Sequence, residues 1–307
     1  MREGLLVMAY GTPCRLEDVG AYYTHIRRGN PPPAPLIEEL VERYRAVGGP
    51  TRLNRITREQ AARLERALAR RGFDVPVRVG FKHVDPFIGE AVRQMAADGI
   101  ERAVGLVMAP HYSSRSIAEY EGYVRQAAPE GMAIEMIQSW HDHPGLVALL
   151  AARLRTALDR ADGDPHVVFT AHSVPARVLE RGDPYPDQLL ATSRAVVDAV
   201  GIDRWTFAYQ SAGRTAEPWL GPDILDVIAD LAQSGETGVL VQPIGFVADH
   251  LEVLYDLDVE ARAAARSRGL SYGRADMPNA DPDFVAALAD LAATRLATPS
   301  RGARVTR

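Results

Sequence analysis

Cysteine is almost absent: Cys14 is the only one in 307 residues. That excludes a disulfide framework, a cysteine zinc site and an iron–sulfur cluster held by the chain's own thiolates, since each needs several sulfurs. A basic excess is also missing. Thirty-five Lys and Arg against 40 Asp and Glu leave a net charge of −5, which argues against a general nucleic-acid binder, whose cations must displace counterions from phosphates. Long apolar runs are lacking. The longest, such as residues 4–10 and 238–241, fall far short of the roughly 20 residues that span a bilayer. Met1-Arg2-Glu3-Gly4 leads straight into a strand-like segment without the apolar region or cleavage site of a signal peptide. Neither G-x-G-x-x-G nor a Walker loop occurs, and Ser173 beside His172 makes no Ser–His pair because adjacent strand side chains diverge. These absences lead to the expectation of a cytoplasmic protein without nucleic-acid or nucleotide chemistry.

What is present is an alternation. Short apolar runs at 5–9, 75–81, 103–108, 133–137, 167–170, 205–209 and 239–243 read as strands. Several are apolar at nearly every position, the pattern of parallel strands covered on both faces. Helical patterns separate them, at 36–47, 144–161, 187–200, 222–232 and 281–296. Thr57-Arg58-Glu59-Gln60 fits a capping box opening a helix that Gly72 stops, and Asp85-Pro86 reads as another helix start. The fold class expected is α/β with parallel sheets. Asp162-Gly163-Asp164-Pro165 marks a boundary near the midpoint, and the first strand on either side ends alike, Ala9-Tyr10-Gly11-Thr12-Pro13 and Ala171-His172-Ser173-Val174-Pro175. The expected division is 1–162 and 163–280 as two similar domains, a helix at 281–297 packing back on the first, and a disordered tail at 298–307.

Ligands of open parallel sheets sit beyond the strands' carboxyl ends. Tyr10, Lys82-His83, His111, His172 and Gln210-Ser211 fall there. Taken singly, each has a plain structural reading: a hydrogen-bonded histidine, a packed tyrosine. The segment 248–266 says more. At about 100° per residue, Asp249, Glu252, Asp256 and Glu260 share one helical stripe, with His250 beside it. A solvated acidic face is the ordinary explanation for such a stripe. Here the segment follows a strand end, so its first turn is expected to point into a cleft, where carboxylates and an imidazole suit a divalent first-row metal. A second cluster, Tyr22-Tyr23-Thr24-His25-Ile26-Arg27-Arg28-Gly29 with Arg43 and Tyr44, joins aromatics to guanidinium forks. It suits a flat apolar ligand with carboxylate arms as well as it suits a surface helix end. Trp219, in a Pro-rich loop, reads as a cleft wall or as core.

These segments, with Gly182-Asp183-Pro184-Tyr185-Pro186-Asp187-Gln188, Pro218-Trp219-Leu220-Gly221-Pro222-Asp223 and Gly245-Phe246-Val247-Ala248-Asp249-His250-Leu251-Glu252, resemble the ferrochelatases in order and spacing from Gly4 to about Leu296. The likeness is nearest to the soluble coproporphyrin III form of Gram-positive bacteria. The resemblance implies two Rossmann-like domains with a porphyrin cleft between them, and an enzyme, a lyase of haem biosynthesis, that inserts Fe²⁺ into coproporphyrin III. The runners-up are insertion into protoporphyrin IX, a cobalt or nickel chelatase, and a non-catalytic haem-binding protein. Residue by residue it implies His172 and Glu252 as the catalytic, metal-holding pair and Asp256 and Glu260 as an outer metal site that Mg²⁺ also suits. It implies Tyr10, Arg27, Arg43, Tyr44, Thr51 and Tyr120 as porphyrin contacts. Iron is then substrate rather than cofactor. The [2Fe–2S] cluster of many actinobacterial relatives has no ligand set here, and Tyr209 stands where some relatives carry Trp. A monomer is expected, handing its product to a downstream haem-pathway enzyme. With an ordinary pKa of about 6.5, His172 is expected to take a pyrrole proton at neutral pH.

Overall fold

The computed structural model describes residues 2–213 and 215–298. Eight strands form two four-stranded, wholly parallel sheets among these residues. The first holds β1 (Glu3–Ala9), β2 (Val77–Phe81), β3 (Arg102–Val107) and β4 (Ala133–Ile137), in the spatial order β2-β1-β3-β4. The second holds β5 (His166–His172), β6 (Trp205–Gln210), β7 (Gly238–Pro243) and β8 (Ser271–Arg274), in the order β6-β5-β7-β8. The order is the same in both halves, so the two strand-end echoes in the sequence mark equivalent first strands.

Composition decides each strand's place. β3 and β7 are buried at every residue and β1 and β5 nearly so, and these four are the central strands. β2, β4, β6 and β8 are partly exposed and lie at the edges. β8, a short Ser-Tyr-Gly-Arg edge, carries no apolar run, and the sequence patterning did not reveal it. In each half the chain leaves the first strand to one side and returns to the other. The switch points therefore lie at the carboxyl ends of β1 and β5, where parallel sheets open a crevice. Tyr10 follows the one and His172 ends the other.

The helices are α1 (Val19–Ile26), α2 (Ala34–Ala46), α3 (Leu53–Ala69), α4 (Ile88–Ala97), α5 (Ile117–Ala127), α6 (Pro144–Asp159), α7 (Tyr185–Val200), α8 (Ile224–Gln233), α9 (Arg262–Ser267) and α10 (Pro282–Leu296). One apolar core runs through both halves, joining Leu5, Val7 and Leu64 to Val167, Phe169 and Leu240. α10 packs on α3 and α6, and its last carbonyls accept from Arg102.

Two helix starts differ from expectation. α3 begins at Leu53, so Thr57 lies inside it and its hydroxyl donates to the Leu53 carbonyl at 3.0 Å, satisfied within the helix rather than capping it. α4 begins at Ile88, and the carboxylate of Glu90 accepts from the Phe87 amide at 2.8 Å. The disordered-tail expectation falls, apart from Thr298, outside the described residues. No helix among the described residues is long and apolar enough to cross a membrane.

Candidate active site

Continuous burial along β5 ends at His172, whose ring is about one-third exposed beside half-buried Glu252. Nε2 of His172 lies 3.3 Å from Oε1 of Glu252. The Nδ1 side meets the carbonyl of Ser173, which fixes the ring and leaves Nε2 for the carboxylate. His250 flanks the pair, with Nε2 3.6 Å from the other Glu252 oxygen and Nδ1 donating to the Ala248 carbonyl at 3.0 Å. Burial opposes charge on His172, but the adjacent carboxylate and the Ser173 carbonyl outweigh it and lift its pKa to about 9. Burial likewise opposes charge on Glu252, and the two imidazoles hold it below the ordinary carboxylate range. The ligand-free pair is thus imidazolium with carboxylate. This corrects the expectation from an isolated histidine: at neutral pH the resting ring already carries its proton.

The element bearing Glu252 is not the α-helix assumed from the sequence. Residues 253–261 form a π-helix, continued by α9. In an α-helix, residues four apart drift by about 40°. The wider turn of i→i+5 bonding brings them closer to one line, and Glu252, Asp256 and Glu260 are spaced by four. Asp249 precedes the helix and leaves the row: its carboxylate takes the Asn279 amide at 2.8 Å and Arg274 at 3.5 Å. Asp256 is 6% exposed. Burial and the charges of Glu252 and Glu260 push its pKa up to about 7, against the Ser211 hydroxyl and Arg43, which favour its anion.

Arg43, expected among the porphyrin contacts, reaches from α2 to the π-helix instead. Its Nη1 lies 3.7 Å from Asp256, and its guanidinium stacks 4.9 Å above the ring of Tyr255 while holding Glu39. Tyr44 is 1% exposed, and its hydroxyl meets that of Thr12 at 3.0 Å, which in turn receives Thr51 at 3.3 Å. Burial, and in smaller part the Glu252 charge, push the Tyr44 phenol up to about 12. The same carboxylate is felt at Tyr10 and Tyr22, after burial, so the two halves share one electrostatic site. Tyr10 is 41% exposed. Arg27 is exposed, lies 6.0 Å from the ring of Tyr23, and has no carboxylate partner among the described residues. Tyr120 is buried in the first half's core, with Lys82 at 5.4 Å from its ring and 5.5 Å from that of Tyr10. Lys82 is ion-paired with Glu119 at 2.6 Å. The structure thus brings His172, Glu252 and Asp256 together and ties Arg43 to them. Tyr44, Thr51 and Tyr120 sit in the wall behind.

Sequence reasoning gave Lys82, His83, Gln210 and Ser211 only their plain readings. Their position at strand ends was the available signal, and the structure sets all four beside the site. His83 rests 4.4 Å from the Tyr10 ring, and Gln210 donates to the Glu252 carbonyl at 3.1 Å. Trp219 lies beside the His172 ring, centroids 6.4 Å apart, as a wall of the cleft.

The ferrochelatase family model matches residues 2–296. The chain belongs to the ferrochelatase family. Among relatives, it is 45% identical to the coproporphyrin III ferrochelatase of Geobacillus kaustophilus, over 96% of each chain. It is 41% identical to that of Bacillus subtilis, over 96% of this chain and 98% of the relative. A ferrochelatase of Thermus thermophilus is 46% identical over 94% and 97%. Solved structures share the fold: the sirohydrochlorin chelatase SirB of Bacillus subtilis subspecies spizizenii with cobalt (TM-score 0.58, 10% identity, 95% and 94% covered) and CbiX (0.57, 16%, 96% and 100%). Family membership makes the protein a metal chelatase with Fe²⁺ as substrate, and it gives the row from Glu260 to His172 a cargo.

Proposed function

We propose that this protein inserts Fe²⁺ into coproporphyrin III to give coproheme, with release of two pyrrole protons. The observation that carries this reading is the His172–Glu252 pair at 3.3 Å, set at a switch point with Asp256 behind it. Relatives bearing that activity in their names, at 41–45% identity over nearly the whole chain, support the choice of porphyrin.

Fe²⁺ passes Glu260 and Asp256, an outer pair that also suits Mg²⁺, and reaches Glu252 and His172. The imidazole binds metal only when Nε2 is bare, so metal arrival expels one proton. The porphyrin presents its nitrogen lone pairs in the ring plane. Metal entry needs them tilted, and a cleft complementary to the bent ring stabilises that state over the flat one. When iron passes into the ring, two pyrrole protons leave it. One recharges His172, restored to a strong base by Glu252, and the other leaves along the carboxylates. One proton lost on binding and one on insertion make the two of the net reaction.

Tyr10, open at the opposite switch point, faces the metal from the other side of the ring. Arg27 is free to take a propionate, and Arg43, Tyr44, Thr51 and Tyr120 hold the wall the macrocycle rests on. The lobes are 1–162 and 163–280, with 281–297 returning to the first. The protein works as a cytoplasmic monomer and passes coproheme to a downstream haem-pathway enzyme. The test is anaerobic mixing with Fe²⁺ and either coproporphyrin III or protoporphyrin IX, followed by absorbance. Turnover well beyond one equivalent, faster with coproporphyrin III, is expected. A halt at one equivalent, or preference for protoporphyrin IX, overturns it.

A further inference from the structure

The motif Gly182-Asp183-Pro184-Tyr185-Pro186-Asp187-Gln188 touches none of the reacting groups described above, yet it carries a dense set of contacts. Asp183 is 8% exposed and pairs with no cation among the described residues. One of its oxygens, Oδ2, accepts three donors from the other half of the molecule: the Ser114 amide at 2.7 Å, the Ser114 hydroxyl at 2.6 Å and the Ser113 hydroxyl at 3.3 Å. Oδ1 accepts the Tyr185 amide at 3.0 Å. The phenol of Tyr185, 7% exposed, donates to the backbone carbonyl of His172 at 3.0 Å. One turn on, the Gln188 side chain takes the Tyr112 amide at 2.7 Å and the Ser139 hydroxyl at 2.9 Å, both also from the first half.

We propose that Asp183 is a positioning residue: through Tyr185 it fixes His172 relative to the 113–114 loop of the opposite half. A buried carboxylate surrounded by donors alone costs too much desolvation to be kept for packing. Both of its oxygens are needed as acceptors, one for each half, and an anion strengthens every one of these bonds. Asparagine has the same shape but only one acceptor oxygen. Its amide must face either Ser114 or Tyr185, donor against donor, so one side of the bridge opens. The cost then appears at His172, three links from the substitution.

The inference rests on His172 acting in iron insertion, so wild-type turnover is measured first; its absence would fail that reading and not this one. Given turnover, Asp183→Asn and Tyr185→Phe are each expected to lower kcat about tenfold while KM for porphyrin moves less than twofold. Both variants act on one path, so Asp183→Asn/Tyr185→Phe should be no slower than the slower single variant, a non-additivity that general loosening would not produce. Ser114→Ala, which removes one donor and leaves the fold, should give a smaller kcat loss that vanishes in the Asp183→Asn background. Multiplying losses in the double variant, an unchanged kcat in Tyr185→Phe, or losses in KM alone would overturn the proposal.

Discussion

Replacing Glu252 with glutamine keeps the shape of the side chain and removes the charge that holds the His172 proton. The carboxylate oxygen stands 3.3 Å from Nε2, and the His172 pKa is about 9. Without it, burial is the leading influence left and works against the charged ring, so the pKa should fall below its ordinary value of about 6.5. A shift from about 6.5 to about 9 corresponds to roughly 3.4 kcal/mol before screening. The ring is 34% and the carboxylate 38% exposed, so water reduces the pair's worth to about 1–2 kcal/mol. The sign follows from linkage. A raised histidine pKa means that the folded state holds a proton the unfolded chain has released, so this contribution is complete below about pH 6.5 and disappears as pH rises through about 9. Nitrogen NMR of histidine-labelled protein, with His172→Ala for assignment, reads the titration directly, and urea unfolding between pH 6 and 9.5 reads the energy. Wild type should titrate near 9 and lose about 1–2 kcal/mol relative to Glu252→Gln across that window. A wild-type His172 titrating at 6.5, with parallel stability curves, would refute the ion pair and the proton accounting built on it.

His172→Ala should abolish iron insertion, read anaerobically by absorbance, while porphyrin still binds with near wild-type affinity by fluorescence quenching. Asp256→Asn should slow insertion less than Glu252→Gln, about tenfold against a hundredfold or more, because it lies one step from the ring. The Asp256 pKa is raised to about 7, so its carboxylate destabilises the fold increasingly as pH climbs from about 4 through 7. Asp256→Asn should therefore unfold at higher urea than wild type at pH 8 and nearly the same at pH 4. Gly245→Ala should cost about 2–3 kcal/mol in urea unfolding, since its Cβ would come 2.6 Å from the Ala171 Cβ and 3.0 Å from the Ala171 backbone, beside His172.

Much was legible from residue type alone. The fully apolar runs that became β3 and β7 are buried throughout, and their neighbours β1 and β5 are central for the same reason. His172 and Glu252 stood out through strand-end position and the carboxylate spacing. The start of α3 was misplaced because Thr57 has the composition of a cap but satisfies its hydroxyl inside the helix. Arg43 looked like a free fork for a ligand carboxylate, since nothing local shows that a carboxylate 213 positions away would claim it.

The sequence by itself determined the alternation of strand and helix, the doubled half and the residue types that chemistry needs, because hydrophobic period and side-chain identity are local properties. Tertiary structure alone decided that the acidic row winds as a π-helix, that His172 rests protonated, and that Asp183 spans both halves. Each of these depends on desolvation and on charges or donors brought from distant parts of the chain, and neither exists until the halves have closed on each other.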